Sequence, residues 1–130
     1  MRSLAREVVF KYLFSRLFNQ NDEGLFDVLI VSEGLKKEDA AFADALLKAV
    51  DLKYDFYLTE IERLSVGFKL SRVFNADKCA ILIGMAELDA FNETPVPVAI
   101  NEAVNLAAKY STEKSADFVN GLLAAYSRAK

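Results

Sequence analysis

The side chains of this chain that could carry chemistry are few in kind. Histidine and tryptophan are absent from the 130 residues and cysteine occurs once, at Cys79. A Ser-His-Asp triad, a histidine general base and a Cys/His zinc site are therefore excluded, and no metal or cofactor is expected. One cysteine forms no intramolecular disulfide, which fits a reducing compartment. The polar residues left as candidates for acid–base work are Asn101, Glu102 and Asn120. The first two fall in the first turn of a helix starting at Pro97, where free N–H groups make capping or interhelical hydrogen bonding the simpler role. Gly121 inside a helix costs roughly 1 kcal/mol relative to alanine, which points to a close helix approach that Asn120 would bridge. These four residues are read as structural and the chain as a non-enzyme.

The remaining grouping is electrostatic. The net charge of -3 hides a gradient: residues 1 to 20 carry Arg2, Arg6, Lys11 and Arg16 against Glu7 alone, residues 21 to 62 carry 4 basic and 11 acidic side chains, and residues 63 to 130 carry 8 basic and 7 acidic. A basic start, an acidic middle and a balanced end imply two faces with two partners, or else a randomly charged soluble surface.

These residues must be positioned by helices. Two prolines and five glycines punctuate long helix-forming runs, and strand alternation is sustained nowhere. The spacing predicts a first helix from Ser3, as N-cap, to about Asn19, apolar around nearly its whole circumference and so in the middle of a bundle. A short segment from Leu25 to Val31 ends near Gly34 as a C-cap. A long periodic stretch from Glu38 to Ser65 bends near Asp51 to Asp55. One helix then carries Cys79 to Leu88, another starts at Pro97 and ends at Ser111-Thr112, and the last begins at Glu113 or Ser115. The expected fold is all-α, with six to seven helices in one unit of 130 residues. No apolar run approaches the length of a membrane span or a signal-peptide core, so a soluble, cytoplasmic protein is expected, with no membrane partner.

The run Pro95-Val96-Pro97-Val98-Ala99-Ile100-Asn101-Glu102-Ala103-Val104, then Ala107-Ala108-Lys109-Tyr110-Ser111 and Phe118-Val119-Asn120-Gly121-Leu122-Leu123, closely resembles the NusB family. Ala5-Arg6-Glu7, Leu13-Phe14-Ser15, Asp77-Lys78 and Glu87-Leu88 extend the likeness over the whole chain. The resemblance implies two helical subdomains, about 1–66 and 67–130. It also implies a transcription antitermination factor that binds boxA-type nascent RNA together with NusE, a ribosomal protein, and helps load an antitermination complex on RNA polymerase, notably for ribosomal RNA. By matched position it assigns RNA contact to Arg6, with Phe14 and Phe118 as aromatics near that surface. Arg2, Lys11, Arg16 and Lys114 would add phosphate attraction, and Phe118 a stacking platform worth roughly 1–3 kcal/mol per base. NusE docking falls to the turn and helix that include Phe68 to Leu82, with Phe68, Asp77 and Lys78 as its named residues.

Plainer roles stand beside these: a solvated helix charge for Arg6, core packing for Phe118 and Phe68, and a helix N-terminal carboxylate for Asp77. The chain also departs from the family pattern, with only Arg2 and Arg6 where relatives carry several successive arginines. Fewer phosphate contacts predict weak RNA binding alone and stronger binding with a partner. The alternative is a divergent module that keeps the fold and contacts proteins. A third possibility, the N-terminal module of a ribosomal RNA cytosine methyltransferase, is set aside for want of a methyl-donor site. A monomer or weak homodimer is expected.

Overall fold

A helix stops where its periodic pattern meets a residue that leaves the helical basin, and this chain does so at short intervals. The computed structural model describes residues 2–18, 24–65 and 69–129. Among these, the regular structure is helical: α1 (Arg2–Phe18), α2 (Leu25–Ser32), α3 (Lys37–Leu52), α4 (Tyr54–Leu64), α5 (Asn75–Ala90), α6 (Val96–Tyr110) and α7 (Glu113–Arg128), with a 3-10 turn at Leu70–Arg72 before α5. None of these helices is long and apolar enough to cross a membrane.

The breaks have local causes. Gly34 takes φ +71°, and the bonds Leu35 N–H to Ile30 O and Gly34 N–H to Val31 O, both 3.1 Å, close the double-bonded glycine cap that ends α2. Lys53 leaves the helical basin at φ -124°, ψ 26° and separates α3 from α4, where the sequence predicted a bend. Pro97 sits in the first turn of α6. Thr112, expected to end α6, is instead the N-cap of α7: its side chain accepts from Ser115 N–H and the Ser115 side chain answers to the Thr112 backbone. Ser3 is no N-cap either. It lies inside α1 and donates its hydroxyl to Glu102 at 2.5 Å.

The central helix is α5, not α1. It packs against α1, α3, α4, α6 and α7, and every residue from Ala76 to Glu87 except Lys78 is buried. Ile81, Leu82, Ile83 and Met85 are almost fully enclosed, each contributing about 1.5–3 kcal/mol by leaving water. Helix α1 buries Ala5, Val8, Val9, Phe10 and Leu13 but leaves Phe14, Leu17 and Phe18 exposed. Its apolar circumference misled because one flank of its last two turns, Phe14, Leu17 and Phe18, stays uncovered although Arg16 still reaches Asp51 on α3.

A close approach of helices does exist, but at Gly84. A methyl group there would stand 2.5 Å from Leu123 Cδ1 and 3.1 Å from the Ala103 Cβ, so glycine lets α6 and α7 close on α5. Gly121 faces open space and Asn120 is exposed, so neither serves the interhelical contact expected of them. One apolar core runs from Ala5 to Tyr126. The expected subdomain boundary falls within residues 66–68, which, with Phe68, lie outside the described residues.

Candidate functional site

Helix α1 carries its four cations into contact with five carboxylates from five other parts of the chain. Arg6 is 5% exposed. Its Nε and Nη2 donate to the two oxygens of Glu87, at 2.7 and 2.5 Å, and its Nη1 donates to Glu102 at 2.8 Å. Glu87 is 1% exposed. Burial would lower the Arg6 pKa, but the bidentate bond to Glu87 and the charge of Glu102 raise it above its ordinary value. The sequence reading of Arg6 as a phosphate contact or solvated charge is thus corrected: its guanidinium is enclosed and held by two carboxylates inside the fold. Of the two roles expected for Glu102, capping or interhelical hydrogen bonding, the structure shows the second. It lies in the second turn of α6 and anchors that helix to α1, while Asn101 beside it is exposed.

The other three cations pair nearer the surface. Arg2 approaches Glu93 at 3.6 Å and lies over the Phe42 ring, 4.3 Å from its centroid. Lys11 donates to Glu33 at 2.9 Å. Arg16 donates to both oxygens of Asp51, at 3.1 and 2.7 Å, which raises its pKa. Even the one acid of this segment, Glu7, is bound, accepting from Lys109 at 2.7 Å and from the Tyr110 hydroxyl. The basic segment read from the sequence is real, and the fold neutralises it. Phe14 stands half-exposed beside Phe10, their rings 6.1 Å apart and nearly parallel, and Phe10 in turn stacks on Tyr110 at 4.8 Å.

The N-termini of α5 and α7 meet at a cleft of about 370 Å³ lined by Arg72, Phe74, Asp77, Lys114, Ser115 and Phe118, among others. Asp77, in the first turn of α5, is 4% exposed. Its Oδ2 accepts from the Ser115 hydroxyl at 3.1 Å, but its Oδ1 is buried without a hydrogen-bond partner among the described residues. A buried carboxylate oxygen left unpaired costs about 1–3 kcal/mol or more. Lys114 is exposed at the rim and Phe118 is half-buried, packed on the core edge. Residues expected in two places, Lys114 and Phe118 for RNA and Asp77 for a protein partner, therefore share one cavity. Lys78 is half-buried next to Asp77 and is not among the lining residues.

Arg72 and Phe74 lie inside the stretch from Phe68 to Leu82 expected to dock NusE but were not singled out. Their signal was an alternation just before α5, with Val73 buried between two exposed residues. Glu87 was missed as a charged partner, although a lone acid inside the apolar run from Ala80 to Leu88 marks a buried ion pair. A third missed cluster joins α4, α5 and α7: the Tyr57 and Tyr126 hydroxyls both donate to Asp89 Oδ2, at 2.8 and 2.7 Å. Burial and that carboxylate hold both phenols protonated well above the ordinary tyrosine range.

The sequence and the fold both have known counterparts. The model of the NusB family matches residues 3–128. The transcription antitermination protein NusB of Ruminiclostridium cellulolyticum is 32% identical over 128 residues, covering 98% of this chain and 88% of its own. Among solved structures, antitermination factors NusB and NusE in complex with dsRNA align at a TM-score of 0.88 and 26% identity, over 99% of this chain and 97% of that one. NusB from T. maritima aligns at a TM-score of 0.90 and 26% identity, over 98% of this chain and 91% of that one.

Proposed function

The chain belongs to the NusB family, and from that membership we propose that it is a cytoplasmic transcription antitermination factor. In this reading it binds boxA-type RNA together with NusE, helps load an antitermination complex on RNA polymerase, and acts by binding rather than catalysis. The observation that carries the reading is the cleft between α5 and α7. It combines what single-stranded RNA and a basic protein each require: aromatic rings at Phe74 and Phe118 on which bases stack, cations at Arg72 and Lys114 for phosphate, and an unpaired carboxylate oxygen on Asp77 for a donor from NusE.

A titration of labelled boxA-type RNA with this protein, with and without NusE, at several salt concentrations tests it. Binding that strengthens with NusE and weakens linearly in log salt is expected. Absence of binding at about 50 mM salt in both arms would refute it. A second reading, the protein-led module, is favoured by the pairing of all four α1 cations. It predicts NusE binding with no RNA response to charge reversal at Arg2.

A further inference from the structure

The ion pairs of α1 are of two kinds, and the difference has a functional consequence. Arg6 and Glu87 are both enclosed, so pulling them apart would strand a buried charge, and that pair is permanent. The outer pairs are open. The side chains of Lys11 and Glu33 are 34% and 30% exposed, and those of Arg16 and Asp51 28% and 46%. Arg2 and Glu93 are more open still. The carboxylates come from the end of α2, the end of α3 and the turn before α6, so three separate segments of the acidic-to-balanced part of the chain close over one basic helix.

We propose that Glu33, Asp51 and Glu93 set the RNA affinity of this protein by occupying the outer cations of α1, so that phosphate must displace a carboxylate of the same chain. The inference rests on the RNA-binding reading above, extends the path of the RNA from the α5–α7 cleft to the cations of α1, and adds its regulation. A phosphate and a carboxylate take the same donors, Lys11 Nζ and the Arg16 fork, with the same charge-assisted geometry. Exposed pairs are weak enough to open, so the carboxylates lower the affinity without abolishing it. Once displaced they remain tethered within a screening length and repel the incoming strand. The log-salt slope counts the counterions that RNA sheds per phosphate neutralised, and a cation still paired with its carboxylate neutralises little phosphate charge, so it adds little to the salt dependence until that carboxylate is removed.

The test uses the full chain and labelled single-stranded boxA-type RNA, with NusE in a parallel arm. Glu33→Gln and Asp51→Asn should each raise affinity roughly 1.5- to 5-fold. Each should also steepen the slope of log affinity against log salt by about 0.7. The double variant should show both effects combined. Glu93→Gln is an independent third probe. Glu60→Gln is the control, because it removes the same charge from a partly exposed pair with Arg63 on α4, away from α1; it should leave affinity and slope near wild type. Unfolding midpoints close to wild type certify that the variants are folded. Wild-type binding with unchanged affinity in the three α1-facing variants, or an equal gain in Glu60→Gln, overturns the proposal while leaving RNA binding intact. Failure of wild type and all variants to bind RNA refutes both.

Discussion

Replacing Arg6 with methionine should be among the most destabilising single changes on this molecule's polar side chains. The substitution keeps much of the side-chain volume and removes three hydrogen bonds, two to Glu87 and one to Glu102. Glu102 retains partial solvent access and the Ser3 hydroxyl, so water compensates it. Glu87, with none of its side chain exposed, is left as an uncompensated buried carboxylate, which costs about 3–5 kcal/mol. For a domain of this size that is a fall of about 11–18 °C in melting temperature, and a large part of a total stability on the order of 6–20 kcal/mol. Urea unfolding followed by circular dichroism reads it as a lower midpoint at unchanged slope. A second change, Glu87→Met on the Arg6→Met background, removes the stranded charge and should restore most of the loss. RNA affinity of Arg6→Met measured well below its melting temperature should match wild type, because the guanidinium is buried and already neutralised by Glu87 and Glu102. The reasoning fails if Arg6→Met costs under about 1 kcal/mol, the value for a solvated charge. It also fails if the folded variant loses RNA binding more than about tenfold, since that would return Arg6 to the RNA surface.

Three other outcomes are expected. Asp77→Ala should leave stability within about 1 kcal/mol of wild type or raise it, because the lost Ser115 bond is offset by relief of the unpaired Oδ1, while NusE affinity falls; calorimetry of binding and melting separates the two effects, and a large stability loss with intact NusE binding would contradict it. Gly84→Ala should destabilise by about 1–3 kcal/mol through its collision with Leu123, whereas Gly121→Ala, into open space, should stabilise by up to about 1 kcal/mol; equal effects at the two sites in urea unfolding would refute the packing argument. Burial pushes the Cys79 thiol from 9.0 up to about 12. Because the folded value is the raised one, its contribution is complete below pH 9.0 and is lost as pH rises through about 12. Cys79→Ala should therefore show a shallower fall in melting temperature between those limits, and the native thiol should resist a thiol reagent until the protein unfolds.

The helices were readable from the sequence because their signals are local. Gly34 as a left-handed cap, the break near Lys53 and Pro97 in a first turn act within four residues of themselves, so type and order alone specify them. The family likeness was readable for a related reason: the run from Pro95 to Leu123 keeps its residues at fixed spacing. Errors arose where a residue's role depends on a distant neighbour. Gly121 and Gly84 are both glycines in helices, and only the packing of Leu123 and Ala103 onto α5 tells which one is needed. Ser3 looks like a cap, and Glu102 like a cap or an interhelical bond, until α1 and α6 are side by side.

Charge shows the division most plainly. The sequence by itself determined that the first helix is basic and the following segment acidic, that no histidine chemistry is possible, and that helices must build the domain. Tertiary structure alone decided that Arg6 meets Glu87 across 81 positions and Glu102 across 96, and that Asp77 keeps one oxygen unpaired in a cleft shared with Lys114 and Phe118. The reason is physical. Backbone preference acts along the chain and is written in adjacent residues, whereas the energy of a charge depends on its burial and on which opposite charge folding brings within about 3 Å.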